Sequence, residues 1–200
     1  MTQQTLLIAT NNPGKQVELE ALLAGLGARL VTPAVLGLAM DVAETGATYA
    51  ENARLKAEAL AQLSGLPTLG DDSGLEVAAL DGRPGLHSAR YAGPGANDAD
   101  RRRKLMHELG QMPAPRPARF VAVVAVAQSG LPTREFEGVV EGEIILEERG
   151  EGGFGYDPLF FLPEYQATMA ELPEATKNRL SHRGRAVEAA RAYIAGLLKA

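Results

Sequence analysis

Cysteine is absent from this sequence, which excludes disulfide bonds and thiolate metal sites. Histidine is scarce: only His87, His107 and His182 occur, and no two of them have the spacing of a zinc site. A bound metal ion would therefore be held mainly by carboxylate oxygens, which suit Mg²⁺ and also Mn²⁺. A chain without cysteine also fits a reducing compartment, and we expect a cytoplasmic protein.

Long apolar runs and an excess of positive charge are lacking too. No run is long enough to cross a bilayer, and residues 1–4 lack the positive segment of a secretory signal, so no membrane association is expected. The net charge of −5 argues against a protein that coats nucleic acid. The one basic run, residues 101–104, adjoins Asp98 and Asp100 in a predicted helix, and we interpret it as a solvated helix face.

What the chain does contain is typical of a folded globular protein of the α/β class. Its 200 residues fit a single domain, residues 1–200, that can bury a sizeable core. Predicted helices cover residues 15–26, 48–63, 98–109 and the segment from 183. We expect a capping box of Thr48 and Glu51 to open the second helix, Gly65 to end it, and Asp98 to cap the third. Predicted strands cover 5–9, 67–72, 75–80, 120–127 and 134–146, the last interrupted by Gly138 and Gly142. Because strands and helices intermix, we expect a mixed sheet.

The first polar cluster, residues 10–15, joins the first predicted strand to the first predicted helix. Such a loop offers free backbone N–H groups and the positive end of a helix dipole to phosphate. Thr10 and Asn12 add side-chain donors and Lys15 adds charge. It is not a P-loop, because Ala9 and Gln16 replace the required residues. An ordinary polar connection stays an equal alternative.

The second cluster is Asp71-Asp72-Ser73-Gly74, predicted to follow a buried strand. Adjacent carboxylates repel each other, and a divalent cation would offset that repulsion. We favour this interpretation over a simple turn, because open sheets bind ligands at the carboxyl ends of strands. Taken alone, Glu44 is a loop carboxylate and Lys56 a solvated helical lysine.

Two later clusters could bind a nucleotide. Residues 152–158 combine three glycines with Phe154 and Tyr156, so a flat group could approach the backbone closely, although a tight turn with core aromatics is the alternative. Residues 177–185 form a basic cluster before the last helix. They could contact phosphate or a base edge, or could simply be a solvated helix start capped by Ser181.

Taken in order, these motifs resemble the inosine/xanthosine triphosphate pyrophosphatase family over nearly the whole chain. The matching segments are IATNNPGK (8–15), ENA (51–53), DDSGL (71–75), PG (84–85), SARY (88–91), GFGYDP (153–158) and SHRG (181–184). The resemblance implies hydrolysis of purine nucleoside triphosphates such as ITP, dITP and XTP to the monophosphate and pyrophosphate. It also implies an elongated, twisted mixed sheet flanked by helices, two lobes around a nucleotide cleft, and a homodimer.

The resemblance also implies roles for individual residues. The predicted triphosphate site comprises Thr10, Asn11, Asn12, Pro13, Gly14 and Lys15, with Lys56 and Lys177 neutralising phosphate charge. The predicted base site comprises Phe154, which would stack on the purine, with Gly155, Tyr156, Asp157, His182 and Arg183. Ser73 would contact the substrate.

Mg²⁺ would be held by Glu44 and Asp72, with help from Asp71, and Asp72 would accept a proton from the attacking water. One departure from the family is that Ala43 replaces the first of two acidic residues before Thr45-Gly46. Two alternatives to this function remain at this stage. One is a related pyrophosphatase acting on pyrimidine triphosphates, and the other is a non-catalytic nucleotide-binding regulator.

Overall fold

A computed structural model describes residues 4–39 and 42–199 of the chain. The helices are α1 (Pro13–Leu23), α2 (Tyr49–Ser64), α3 (Asp98–Leu109), α4 (Glu174–Leu180) and α5 (His182–Leu197). The strands are β1 (Thr5–Ala9), β2 (Arg29–Val31), β3 (Thr68–Val77), β4 (Pro117–Ala127), β5 (Arg134–Ile144), β6 (Phe160–Leu162) and β7 (Ala167–Thr168). Within these described ranges, no helix has the length and apolar character needed to span a bilayer.

All seven strands belong to one sheet, in the order β2-β1-β3-β4-β5-β6-β7. Strand β1 pairs in parallel with β2 and β3, whereas β6 pairs antiparallel with β5 and β7. The sheet is therefore mixed, as predicted, and the α/β class is confirmed.

The chain divides into two compact units, each with its own apolar core. Unit 1 contains the described residues of 1–72, 122–138 and 182–200, and unit 2 contains residues 73–121 and 139–181. In unit 1, Leu6 and Ile8 of β1 pack with Leu19 of α1 and Val187 of α5. The core of unit 2 includes Leu75, Leu105, Phe120 and Phe160, and the rings of the last two lie 4.5 Å apart.

The helix starts lie close to their predicted positions, with small differences in capping. Asn12 caps α1, which therefore begins two residues before Lys15. The Thr48 hydroxyl caps α2 as predicted, but the Glu51 carboxylate accepts from the Ala47 N–H (2.6 Å) rather than from Thr48 itself. Helix α3 is capped by Asn97, not by Asp98.

Strand β3 corrects the largest error in the sequence interpretation. Residues 67–72 and 75–80 were expected to form two strands, but Thr68–Val77 is continuous, so Asp71 and Asp72 lie within a strand and not in a turn. The parallel pairing of β1 with β3 stops at Ala9, opposite Gly70. The two aspartates thus lie just beyond the carboxyl end of β1, beside the loop that begins at Thr10.

The glycines of β5 allow close packing instead of interrupting the strand. A side chain at Gly138 would collide with the His182 carbonyl oxygen and Ala186 of α5. One at Gly142 would meet the Phe161 carbonyl oxygen and the ring of Phe160. Both positions therefore require glycine because of their neighbours, while the strand runs unbroken from Arg134 to Ile144.

Candidate active site

The loop after β1 is held by two local hydrogen bonds and leads directly into α1. The Thr10 hydroxyl accepts a hydrogen bond from the Asn12 N–H (3.1 Å), and the Asn12 side chain accepts one from the Lys15 N–H (3.1 Å). Pro13 fits the first helical position because its missing N–H has no partner to lose there. The first turn of α1 thus follows a short polar loop at the carboxyl end of a parallel strand, as expected for a phosphate site.

Asp71 is buried among cations in unit 1. Its side chain is 0% exposed and accepts from Nε and Nη2 of Arg183 at 3.0 and 3.3 Å, while Lys15 Nζ lies 2.6 Å from Oδ2. Burial alone would raise the pKa of Asp71, but Arg183 and Lys15 hold it well below its usual range. Both carboxylate oxygens of Asp71 thus contact side-chain cations, and its help in holding Mg²⁺ stays a prediction.

Arg183 is itself buried, with a side chain only 1% exposed. It donates to Asp71 and, through Nη1, to Glu18 Oε2 at 2.5 Å. Burial opposes its charge, but Asp71 and Glu18 more than compensate and raise the pKa of the guanidinium. The contacts described for Arg183 are ion pairs with Asp71 and Glu18, and its role in reading the base stays a prediction.

Asp72 has different neighbours from Asp71, although the two are adjacent. Asn52 Nδ2 donates to its Oδ2 (3.2 Å), and Lys56 Nζ lies 3.3 Å from its Oδ1. Burial raises the pKa of Asp72, and Lys56 and Lys15 only partly oppose that shift. Asp72 is therefore the more basic of the two carboxylates.

Lys56 joins the two carboxylates that were predicted to bind the metal. Its ammonium lies 2.9 Å from Glu44 Oε1 as well as 3.3 Å from Asp72 Oδ1. Burial lowers its pKa, but these carboxylates outweigh that effect and the net shift is upward. Lys56 is buried, so it is not the solvated lysine that its position in α2 suggested.

The same contacts test whether a divalent cation fits. In residues 4–39 and 42–199, no three His, Cys, Asp or Glu side chains form a cluster suited to a metal ion. Two carboxylates nevertheless converge on one positive atom, the ammonium of Lys56. A pair of carboxylates suits Mg²⁺, which keeps several of its waters and takes substrate phosphates as further ligands.

His182 and Ser73 complete the predicted residues of this region. His182, which is buried, is the first residue of α5 and packs its backbone against Gly138. Ser73 follows Asp72 in β3, is partly exposed and is the first residue of unit 2.

The aromatic loop of unit 2 is held by its own carboxylate. Asp157 Oδ2 accepts from the Phe154 N–H (2.9 Å) and lies 2.5 Å from Lys177 Nζ. The same ammonium lies 5.3 Å from the centre of the Phe154 ring. The structure thus brings Lys177 to the predicted base-stacking residue.

Tyr156 is buried, and its hydroxyl donates to the Ser88 carbonyl oxygen (2.9 Å).

Helix α3 also contacts this loop, through residues that the sequence interpretation missed. Asp98 Oδ2 accepts from the Gly155 N–H (2.8 Å), and Arg102 Nη1 donates to the Gly155 carbonyl oxygen (2.9 Å). Arg102, with a side chain 15% exposed, also pairs with Glu148 at 3.0 Å. The interpretation of residues 101–104 as a solvated face is therefore wrong for Arg102.

Comparison with known proteins agrees with this architecture. Residues 6–193 match the Ham1 family. The chain is 51% identical over 183 residues to the dITP/XTP pyrophosphatase of Geobacillus kaustophilus, covering 91% of this chain and 90% of that protein. It is 50% identical to the dITP/XTP pyrophosphatase of Thermus thermophilus, covering 92% and 88%.

Solved structures give the same result. The Ham1 protein of Staphylococcus aureus superposes with a TM-score of 0.85 at 39% identity, covering 97% of this chain and 100% of that one. The HAM1 protein of Coxiella burnetii has a TM-score of 0.85 at 40% identity, covering 98% and 99%.

Proposed function

Because the chain belongs to the Ham1 family, we propose that it hydrolyses dITP, ITP and XTP to the monophosphate and pyrophosphate with Mg²⁺. The observation that carries this proposal is the convergence of Glu44 and Asp72 on one positive atom. Relatives at 50% and 51% identity named dITP/XTP pyrophosphatases supply the substrate class. Mn²⁺ is the expected substitute metal, since it also prefers oxygen ligands.

Asp72 is the proposed base for the attacking water. Its raised pKa makes it a better proton acceptor than an ordinary aspartate, and the Asn52 amide holds one of its oxygens at 3.2 Å. Glu44 and Asp72 would hold the magnesium ion, which would supply positive charge that offsets the charge of the phosphates. Lys56 lies between these carboxylates and would neutralise phosphate charge when substrate binds.

Asp71 has a separate role in this mechanism, as the anion that positions two cations. It fixes Lys15 at the start of α1 and Arg183 at the start of α5. Lys15 would then meet phosphate at the N-terminus of α1, together with Thr10 and Asn12. Neither Asp71 nor Asp72 acts as a covalent nucleophile in this mechanism.

Phe154 and Lys177 are the proposed base-reading pair of unit 2. Hypoxanthine and xanthine carry a 6-keto acceptor, whereas adenine carries a 6-amino donor. Lys177 has donors only and lies against the Phe154 ring, so its ammonium would favour the keto bases. This proposal gives Lys177, which is also paired with Asp157 at 2.5 Å, the base-reading role that the sequence interpretation gave to Arg183.

Pyrophosphate release is the decisive experiment. The wild-type protein should release pyrophosphate from ITP, dITP and XTP with Mg²⁺, at much lower rates from ATP, dTTP and UTP, and not at all with excess EDTA. Preference for dTTP or UTP would identify a pyrimidine pyrophosphatase. Binding of ITP without any pyrophosphate release would identify a nucleotide-binding regulator.

A homodimer and a cytoplasmic location are part of the same proposal. The resemblance of the chain to its family supports the first, and the absence of cysteine agrees with the second. Light scattering coupled to size-exclusion chromatography distinguishes a dimer from the 21.1 kDa monomer.

A further inference from the structure

We propose that Asp98 and Arg102 are positioning residues that fix the base-binding loop, residues 154–157, before substrate arrives. They are four residues apart and therefore share one face of α3. One accepts from the N–H of Gly155 and the other donates to its carbonyl oxygen, at 2.8 and 2.9 Å. This inference rests on the proposed function, because it assigns the loop to base binding.

The two hydrogen bonds act on different peptide planes. The N–H of Gly155 belongs to the peptide that joins it to Phe154, and the carbonyl belongs to the peptide that joins it to Tyr156. Gly155 has φ +63°, and glycine is the residue with most backbone freedom to lose on ordering. Helix α3 therefore fixes the orientation of the Phe154 backbone from outside the loop.

The rest of the loop does not replace this contact. Within the loop, Asp157 Oδ2 accepts a hydrogen bond from the Phe154 N–H (2.9 Å). The Tyr156 hydroxyl donates to the Ser88 carbonyl oxygen. Among the contacts described for the loop, only those from Asp98 and Arg102 reach the backbone of Gly155.

Helix α3 is held by further contacts of its own. Helix α3 begins with a reciprocal capping box in which Asn97 and Asp100 exchange two hydrogen bonds of 3.0 Å. Asp98 also pairs with Arg101, and Arg102 with Glu148. Because Asp98 and Arg102 each contact a second partner as well as Gly155, we expect the loop to lose little further conformational entropy when a base binds.

The test compares a ligand that carries a base with one that does not. For Asp98→Ala, the competitive inhibition constant of inosine monophosphate should rise about tenfold, while that of inorganic pyrophosphate should change less than about twofold. Asp98→Asn keeps an acceptor for Gly155 and should stay within about threefold of wild type. Arg102→Met should repeat the selective effect.

Arg103→Ala is the matched control, since it removes a more exposed basic side chain, 70% accessible, from the same helix. It should leave both inhibition constants unchanged. An equal rise for both ligands in Asp98→Ala would indicate general damage and would overturn the proposal. So would an unchanged constant for inosine monophosphate in a folded Asp98→Ala protein.

Amide hydrogen exchange of the wild-type protein tests the same point without a variant. Peptides covering residues 153–157 should be protected before ligand is added and gain little protection with inosine monophosphate. A loop that exchanges freely until the monophosphate binds would overturn the proposal. If wild type released no pyrophosphate from ITP, the proposed function would fail first, so the two failures are distinguishable.

Discussion

The two compact units hold their candidate residues by different means. In unit 1, charged side chains hold one another: Asp71 contacts Arg183 and Lys15, and Lys56 contacts Glu44 and Asp72. In unit 2, Asp157 also pairs with Lys177, but Asp98 and Asp157 in addition hold the backbone of a loop by its N–H groups. The first arrangement sets charge and protonation, whereas the second sets the position of an aromatic ring.

Because of this difference, mutations in the two units should impair different properties of the protein. Removing one member of a buried charge network leaves the others uncompensated, so stability and catalysis should both suffer. Removing a hydrogen bond to a loop backbone costs less and should affect mainly ligands that contact the loop.

Arg183→Ala should have the largest effect. It leaves Asp71, whose side chain is 0% exposed, and Glu18, at 8%, without their shared cation. We expect the free energy of unfolding to fall by about 3–5 kcal/mol, measured by urea denaturation. Activity on ITP and on ATP should fall by similar factors. A narrowed ratio of the two kcat/KM values with unchanged stability would instead show that Arg183 reads the base.

Asp72→Asn should lower kcat by at least ~10²-fold, because the proposed base and a proposed metal ligand are lost together. The change keeps the shape of the side chain, so the unfolding free energy should move far less than in Asp71→Asn. Steady-state pyrophosphate release and urea denaturation of the two variants form a matched pair. Near-normal turnover in Asp72→Asn would refute the assignment.

The adjacent aspartates should titrate on opposite sides of an ordinary aspartate. In protein stripped of metal, the pKa of Asp72 should lie above ~3.9 and that of Asp71 well below it. NMR of the side-chain carboxyl carbons measures both values, and the Asp71→Asn and Asp72→Asn variants assign the two signals. Because the pKa of folded Asp71 is depressed, its stabilising contribution is present above ~3.9 and is lost as pH falls below that value. Two coincident titrations would contradict the assigned difference.

Lys177→Met should have the smallest effect on turnover and a selective one on the substrates, but it also leaves buried Asp157 without its cation, so urea denaturation should show a loss of stability. It removes a donor beside Phe154 while keeping an apolar chain. We expect the preference for ITP over ATP, as a ratio of kcat/KM values, to narrow about tenfold. An equal fall for both substrates would assign Lys177 to phosphate, as the sequence interpretation proposed.

The sequence predicted the fold well where local signals were strong. Thr48 as a cap and Gly65 as the end of α2, in the left-handed conformation, were both read from local chemistry. The division of residues 67–80 into two strands failed because Asp71, Asp72, Ser73 and Gly74 favour turns locally. Their tertiary contacts, above all the cations around Asp71, override that preference and keep β3 continuous.

The sequence names the segments that carry the candidate residues, but it does not predict which side chains contact them. Asn52 and Lys56, and likewise Asp98 and Arg102, are each four residues apart on a helix, a spacing that signals a shared face. Nothing local indicates what such a face contacts. Glu18 meets Arg183 across a separation of 165 residues, which only the folded structure reveals.

The distance along the chain between Asp71 and Arg183 affects how the protein folds while it is synthesised. Arg183 lies 112 residues after Asp71 in the chain, and ribosomes add about 5–20 residues per second. A growing chain therefore carries Asp71 for on the order of 10 seconds before its guanidinium partner is synthesised. During that interval Lys15 is available to Asp71 but Arg183 is not, so β3 cannot reach its final burial until α5 follows. Because Val187 of α5 also belongs to the apolar core of unit 1, we expect the polar centre and that core to close together, late in synthesis.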